Sequence, residues 1–202
     1  MTIVTSLYRV FAIVLFFAVS ATASVIDFNT LTGANGDPFS TYSENGFTAT
    51  ATQGSWSKAF VFGNPPPDIF CLLCAPGTVV ITMGGSLFSF ASVDLGNAQS
   101  SLDTFTIQGS RLGSIVLSQS GSLTVPFAFQ TFTSINSTVL MDMLTISLTS
   151  SASMFDYNID NIVVNAAVPE PGTAALLGIG LLAMLFCRNS AELLKNVQGI
   201  NE

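Results

Sequence analysis

Between residues 24 and 167, apolar and polar positions alternate in short runs punctuated by Gly, Asn, Asp and Ser. That is period-two, strand-forming pattern, with no stretch of helical periodicity. Strands are predicted at 25–28, 47–51 (after the Asn45-Gly46 turn), 59–62, 78–82, 87–95, 104–108, 114–118, 123–129, 144–148 and 155–164. In the last run Phe155, Tyr157 and Ile159 point one way, and Asp156, Asn158 and Asp160 the other. So many short alternating strands predict an all-β fold, an antiparallel β-sandwich whose core holds most of the phenylalanines.

Both ends break this pattern by being apolar throughout. The first 23 residues have a leader with one basic residue, Arg9, an apolar run over 10–19, and the small residues Ala21-Thr22-Ala23. This is the build of a secretory signal peptide cleaved after Ala23, leaving Ser24 first, and the apolar run is short for a membrane span. Near the other end stands Val168-Pro169-Glu170-Pro171-Gly172, whose two prolines exclude a helix there. Residues 173–187 are then uncharged and rich in Leu, Ala and Gly. As a helix they extend about 22 Å against a hydrocarbon core of about 30 Å, a deficit that local bilayer thinning can absorb. Arg188 and Lys195 follow, placing the 189–202 tail on the cytoplasmic side of a transmembrane helix.

Pro-Glu-Pro, an apolar helix and a basic residue, in that order and behind a signal peptide, resemble the PEP-CTERM sorting signal of Gram-negative exopolysaccharide-producing bacteria. The resemblance spans 168–188. It implies recognition of the motif by an exosortase, a membrane-embedded transpeptidase-like enzyme, with the helix holding the substrate in the inner membrane until the tail is removed. Such tails also go under the description of an ice-binding protein's C-terminal domain, which says nothing about ice. This chain departs from the family in having a single Arg188 where a basic cluster is usual, and in continuing to Glu202.

Charge narrows the functions open to 24–167. The acids Asp27, Asp37, Glu44, Asp68, Asp94, Asp103, Asp142, Asp156 and Asp160 face only Lys58 and Arg111, and the whole chain carries a net charge of −7. No basic patch exists, so nucleic acid is excluded as a partner. The chain has no histidine, which removes the usual general base, the usual zinc ligand and the Ser-His pair of most hydrolases. A glycosidase needs only two carboxylates. Asp156 with Asp160, or Asp94 with Asp103, are the pairs to weigh against the ordinary role of solvated loop acids.

Cys71 and Cys74 follow the segment Asn64-Pro65-Pro66-Pro67-Asp68. Zinc lacks ligands, since the remaining cysteine, Cys187, lies in the apolar helix. A thioredoxin-like role lacks its βαβ setting. A local disulfide pinning a surface loop in an oxidising compartment is the expected state, with free thiols as the alternative. For sugar binding, Trp56 and Tyr42 are the natural stacking residues, the competing reading being that Trp56 is core. Asn136-Ser137-Thr138 matches a eukaryotic glycosylation sequon, incidental beside a bacterial sorting tail.

The closing Tyr157-x-Ile159-Asp160-Asn161-Ile162-x-Val164 strand and the opening Val25-Ile26-Asp27-Phe28 resemble the jelly-roll ectodomains of PEP-CTERM proteins, which are similar to carbohydrate-binding modules. That resemblance implies side-by-side pairing of the two termini, and a structural calcium held there by Asp27, Asp160 and Asn161. Asp160 and Asn161 bonded to turn backbone is the other reading. Otherwise no cofactor is expected. The expected protein is a non-catalytic surface or matrix protein, exported through signal peptidase, sorted by an exosortase and associated with exopolysaccharide. A specific carbohydrate-binding module comes next, and a glycan-active enzyme after it. Ice binding comes last, because Thr48-x-Thr50, Thr104-x-Thr106 and Thr131-x-Thr133 follow no fixed repeat.

Overall fold

A computed structural model describes residues 23–72, 74, 76–97, 103–150, 156–167 and 180. The expected signal peptide, the Val168–Gly172 motif, Arg188 and Lys195 fall outside them, and of the expected membrane helix only Gly180, which is helical, is described. Among the described residues no helix is long and apolar enough to cross a membrane.

Twelve strands form two antiparallel sheets. They are β1 (Ala23–Ile26), β2 (Thr41–Glu44), β3 (Phe47–Gln53), β4 (Trp56–Ala59), β5 (Asp68–Leu72), β6 (Gly77–Thr82), β7 (Phe88–Asn97), β8 (Asp103–Arg111), β9 (Ser114–Leu123), β10 (Ala128–Thr133), β11 (Met143–Ser150) and β12 (Asp156–Ala166). The first sheet runs β10-β7-β12-β5-β4, with β1 also on β12; the second runs β2-β3-β6-β11-β8-β9. From β5 onward the chain passes from sheet to sheet, except at the β8–β9 hairpin. The halves β5-β12-β7-β10 and β6-β11-β8-β9 that result are the connectivity of an eight-stranded jelly roll.

The core follows from the alternation. Leu95, Ile159 and Val164 of the first sheet and Ile81, Ile107 and Ile146 of the second are fully buried, and Phe47 and Phe88 meet edge to face across it. β1 pairs with the end of β12, Ala23 opposite Asn165 and Ile26 opposite Ile162, so the two ends of the domain do lie side by side. Ala23 is therefore itself a paired residue.

Local boundaries differ from the sequence pattern in instructive places. The expected strand at 59–62 stops at Ala59, and the Phe60–Phe62 alternation instead belongs to a loop described below. The expected strand at 123–129 is divided: Leu123 ends β9, and β10 starts at Ala128.

Cys71 and Cys74 form a disulfide, but not on the surface. Cys71 lies in β5, both cysteines are within the core cluster, and the Tyr157 hydroxyl donates to the Cys74 carbonyl at 2.7 Å. So small a ring limits the unfolded chain by about 2 kcal/mol. Replacing both cysteines with alanine should lower stability by at least that amount, since two buried sulfurs are also lost from the core, read as a lower urea midpoint. An unshifted midpoint would refute a stabilising role.

Candidate functional site

The polar chemistry of the domain collects on the outer face of the first sheet, around a defect in its central strand. β12 pairs with β5 through Ile159 and with β1 from Ile162 onward. Its register against β7 shifts between Asp160 and Val163. Asn161 bridges the switch with a left-handed φ of 46°, a conformation asparagine tolerates better than most residues. Asp160 faces Asp94 across the β12–β7 ladder, and Asp94 faces Thr131 across β7–β10. One transverse line thus holds two carboxylates and a hydroxyl, pointing away from the core that Val93 and Leu95 enter.

Residues 60–67 cover this line. They link the adjacent strands β4 and β5 but, instead of turning directly, fold back over the sheet. The Asn64 backbone N–H donates to Asp160 Oδ2 at 2.7 Å and its side-chain Nδ2 to Asp94 Oδ2 at 3.1 Å. Asn161 Nδ2 donates to the Asn64 carbonyl and, at 3.0 Å, to Asp94 Oδ2. Thr131 donates to Asp94 Oδ1 at 2.6 Å, and the Asn161 N–H to Asp160 Oδ1 at 2.8 Å. Farther across, Phe62 stacks on Phe129 of β10, ring centres 5.2 Å apart. Gly63 makes the fold-back possible: its φ is 146°, and a Cβ there would stand 2.5 Å from the Pro66 backbone. Gly96 makes room for Phe129, since a Cβ on it would meet that ring and Asn158, each at 3.1 Å. We call 60–67 the strap.

Under the strap Asp160 is fully buried and Asp94 nearly so. Burial, ahead of all else, pushes the Asp160 carboxyl up to about 7; the Asn64 and Asn161 N–H groups oppose this, and the charges of Asp94 and Asp27 add to it. Alongside, Asn158 donates to Asp68 Oδ2 at 2.7 Å. Asn158 is 3 % exposed, and its amide oxygen has no hydrogen-bond partner.

The residues nominated from sequence are placed as follows. Trp56 is not a surface platform: it is 3 % exposed, in the core, with Nε1 donating to the Gln53 carbonyl at 2.9 Å. Tyr42 is half-buried against Phe28, its hydroxyl bonded to Thr30. Of the residues expected to hold calcium, Asp27 lies near enough for its charge to act on Asp160, and Asn161 follows Asp160 in β12. Asn161 turns its amide nitrogen toward Asp94, Asp27 accepts the Asn29 N–H, and among the described residues no group of three or more His, Cys, Asp or Glu is placed to hold a metal ion. Asp94 and Asp103 lie in different sheets, and Asp156 opens β12 opposite Leu72. Thr48, Thr50, Thr104 and Thr106 share the second sheet, whereas Thr131 and Thr133 belong to the first, so the three threonine pairs build no single array. Asn64, Thr131 and Asn158 carry no site signal in the sequence beyond the run of prolines after Asn64.

The domain is thus a jelly-roll sandwich with a strapped, acidic outer face. Residues 167–189 of the chain match the PEP-CTERM protein-sorting motif. That motif implies secretion and membrane-anchored, exosortase-directed sorting toward the cell surface. Solved structures similar to the chain include the family 29 carbohydrate-binding module CBM29_1 from Piromyces equi, at 13 % identity and a TM-score of 0.45, covering 74 % of this chain and 93 % of that one. They also include the K1 cleaved adhesin domain of Lys-gingipain from Porphyromonas gingivalis W83, at 10 % identity and 0.41, covering 73 % and 99 %. A third is the agarase AgWH50C, at 11 % and 0.47, covering 72 % of this chain and 25 % of that one. No curated protein sequence matches the chain.

Proposed function

We infer that the protein is a non-catalytic surface or matrix protein, exported behind a signal peptide removed after Ala23 and handed outward by exosortase cleavage near Pro169-Glu170-Pro171. One observation carries this reading: the sandwich is complete where the sorting motif begins. β12 ends at Ala166, paired with Phe88 of β7, and the Ala167 N–H donates to the Leu87 carbonyl at 3.0 Å. Cleavage within 168–172 therefore removes none of the twelve described strands, and the apolar segment at 173–187 and the tail at 189–202 are left to serve sorting. A non-catalytic role is supported by Asp94 and Asp160, whose oxygens are out of solvent and taken up by Asn64, Asn161 and Thr131. Exopolysaccharide is the expected associate, and the carbohydrate-binding alternative is favoured by the strapped face alone, now that Trp56 is core.

The test is the intact mass of the protein from its native host, in membrane, surface and medium fractions. A species beginning at Ser24 and ending within 168–172 is expected outside the inner membrane. Replacing Pro169, Glu170 and Pro171 with alanine should leave the uncleaved chain in the membrane. Unmodified protein retaining Glu202 there would overturn the sorting reading.

A further inference from the structure

The geometry points to a neutral glycan site on the outer face of the first sheet, occupied in this state by the protein's own strap, with Phe62 and Asn64 standing where a sugar ring and its hydroxyls go. The inference rests on the reading of the protein as an exopolysaccharide associate and names the surface responsible.

The strap behaves as an internal ligand. A glycan offers hydroxyl donors, and a C–H face that packs on aromatic rings. The strap offers the Asn64 N–H and Nδ2 to the carboxylates of Asp160 and Asp94, and the Phe62 ring to Phe129. The buried Asn158 amide oxygen on this face, beside Phe129 across Gly96, has no partner. A buried polar atom in that condition costs about 1–3 kcal/mol, and a hydroxyl would relieve it.

The strap is also held loosely enough to be displaced. Val61, Asn64, Pro65 and Pro66 are exposed, and none of 60–67 enters the core. Its release disrupts a few hydrogen bonds and one ring contact while both sheets stay intact, an opening well below global unfolding in free energy. Ligand charge follows from the floor. Asp94 on β7 and Asp68 on β5, with Asp27 after β1, repel an anionic polymer, so the fitting ligand is uncharged and rich in hydroxyls.

The experiment uses the full chain in detergent solution against immobilised neutral polysaccharides (dextran, xyloglucan, agarose, curdlan), with alginate as the anionic control. Phe62→Ala removes the stacking arm of the strap. It should speed hydrogen exchange of the Asn64 amide at least tenfold, and at least one neutral polymer, but not alginate, should then be held tenfold or more tighter than by the parent. Adding Phe129→Ala should abolish that gain. Where Phe62→Ala fails to melt cooperatively, Asn64→Ala serves the same purpose without touching the aromatic pair. An Asn64 amide that exchanges faster in a cooperatively folded variant, with no gain on any neutral polymer, overturns the inference. Host exopolysaccharide bound equally by the parent and by Phe129→Ala overturns it too, while leaving the association itself intact; exopolysaccharide bound by neither would end both.

Discussion

Trp56→Ala should lower the stability of the domain by about 3–5 kcal/mol, the range for emptying a buried aromatic position. The ring is 3 % exposed. It lies against the disulfide: a Cβ placed on Gly77 would stand 3.1 Å from both Trp56 Cζ2 and Cys71 Sγ. Alanine leaves a void that β5 and β6, each paired with other strands, cannot collapse to fill, and the Gln53 carbonyl loses its donor. Gln53 is exposed, so water replaces that bond and the void dominates. Trp56→Phe keeps most of the volume and should cost about 1–2 kcal/mol. Urea unfolding of the three proteins decides it. A Trp56→Ala midpoint equal to the parent's would mean that the ring is not packed. The consequence reaches beyond stability: loss of glycan binding in Trp56→Ala would report unfolding, so Phe129 and Phe62 are the positions at which stacking is properly tested.

Why Trp56 was ambiguous in the sequence also explains what else was legible. The period-two alternation is a direct image of one buried and one solvated face, so Phe88 to Leu95 and Tyr157 to Val164 are visible as strands without structure. The resemblance of the VIDF and IDNI segments to jelly-roll ectodomains implied side-by-side pairing of the domain's two ends, and β1 on β12 bears it out. Alternation alone, however, cannot tell a core face from a face covered by a loop. Phe60 and Phe62 carry strand pattern, yet Phe62 spends its apolar surface on Phe129 over the outside of the sheet. The CxxC segment carried loop signals, yet Cys71 is a buried strand residue, because the disulfide takes the place of an apolar side chain in the core.

The acidic site was half legible for a similar reason. Asp160 and Asn161 stood out because the resemblance of the closing strand to jelly-roll ectodomains sets them where the first and last strands meet. From Asn161, its partners Asp94 and Asn64 lie 67 and 97 residues away in the chain, and Thr131, which bonds Asp94, lies 37 residues from it; strand register and a loop reversal bring them in. A register alignment is invisible without the fold, and so is the outcome that decides the site's chemistry. The carboxylates meet amide and hydroxyl donors, and the described residues bring no third carboxylate into a metal-holding group with them.

The second large effect follows from that environment, and its sign runs against the usual carboxylate case. Asp160 titrates near 3.8 when free and at about 7 in the fold. Between those values the folded protein holds a proton that the unfolded chain has lost. Stability therefore falls as pH rises through that window and levels off above about 7. A shift of this size corresponds to about 4 kcal/mol. Water reaching the carboxyl once it ionises, and relaxation of the strap above it, reduce the expected loss to about 2 kcal/mol. Glu44, also raised by burial and by Asp27 nearby, adds in the same direction. The melting temperature should thus be higher at pH 5 than at pH 8, with the Asn64 amide exchanging fastest at the alkaline end after correction for intrinsic rates. Asp160→Asn, which keeps an acceptor for one of the two N–H donors but does not titrate, should flatten most of that slope. A parent protein equally stable at pH 5 and pH 8 would mean that Asp160 meets water in solution. The strap would then be open without any help from a ligand, and its pinning by Asn64 would not describe the protein.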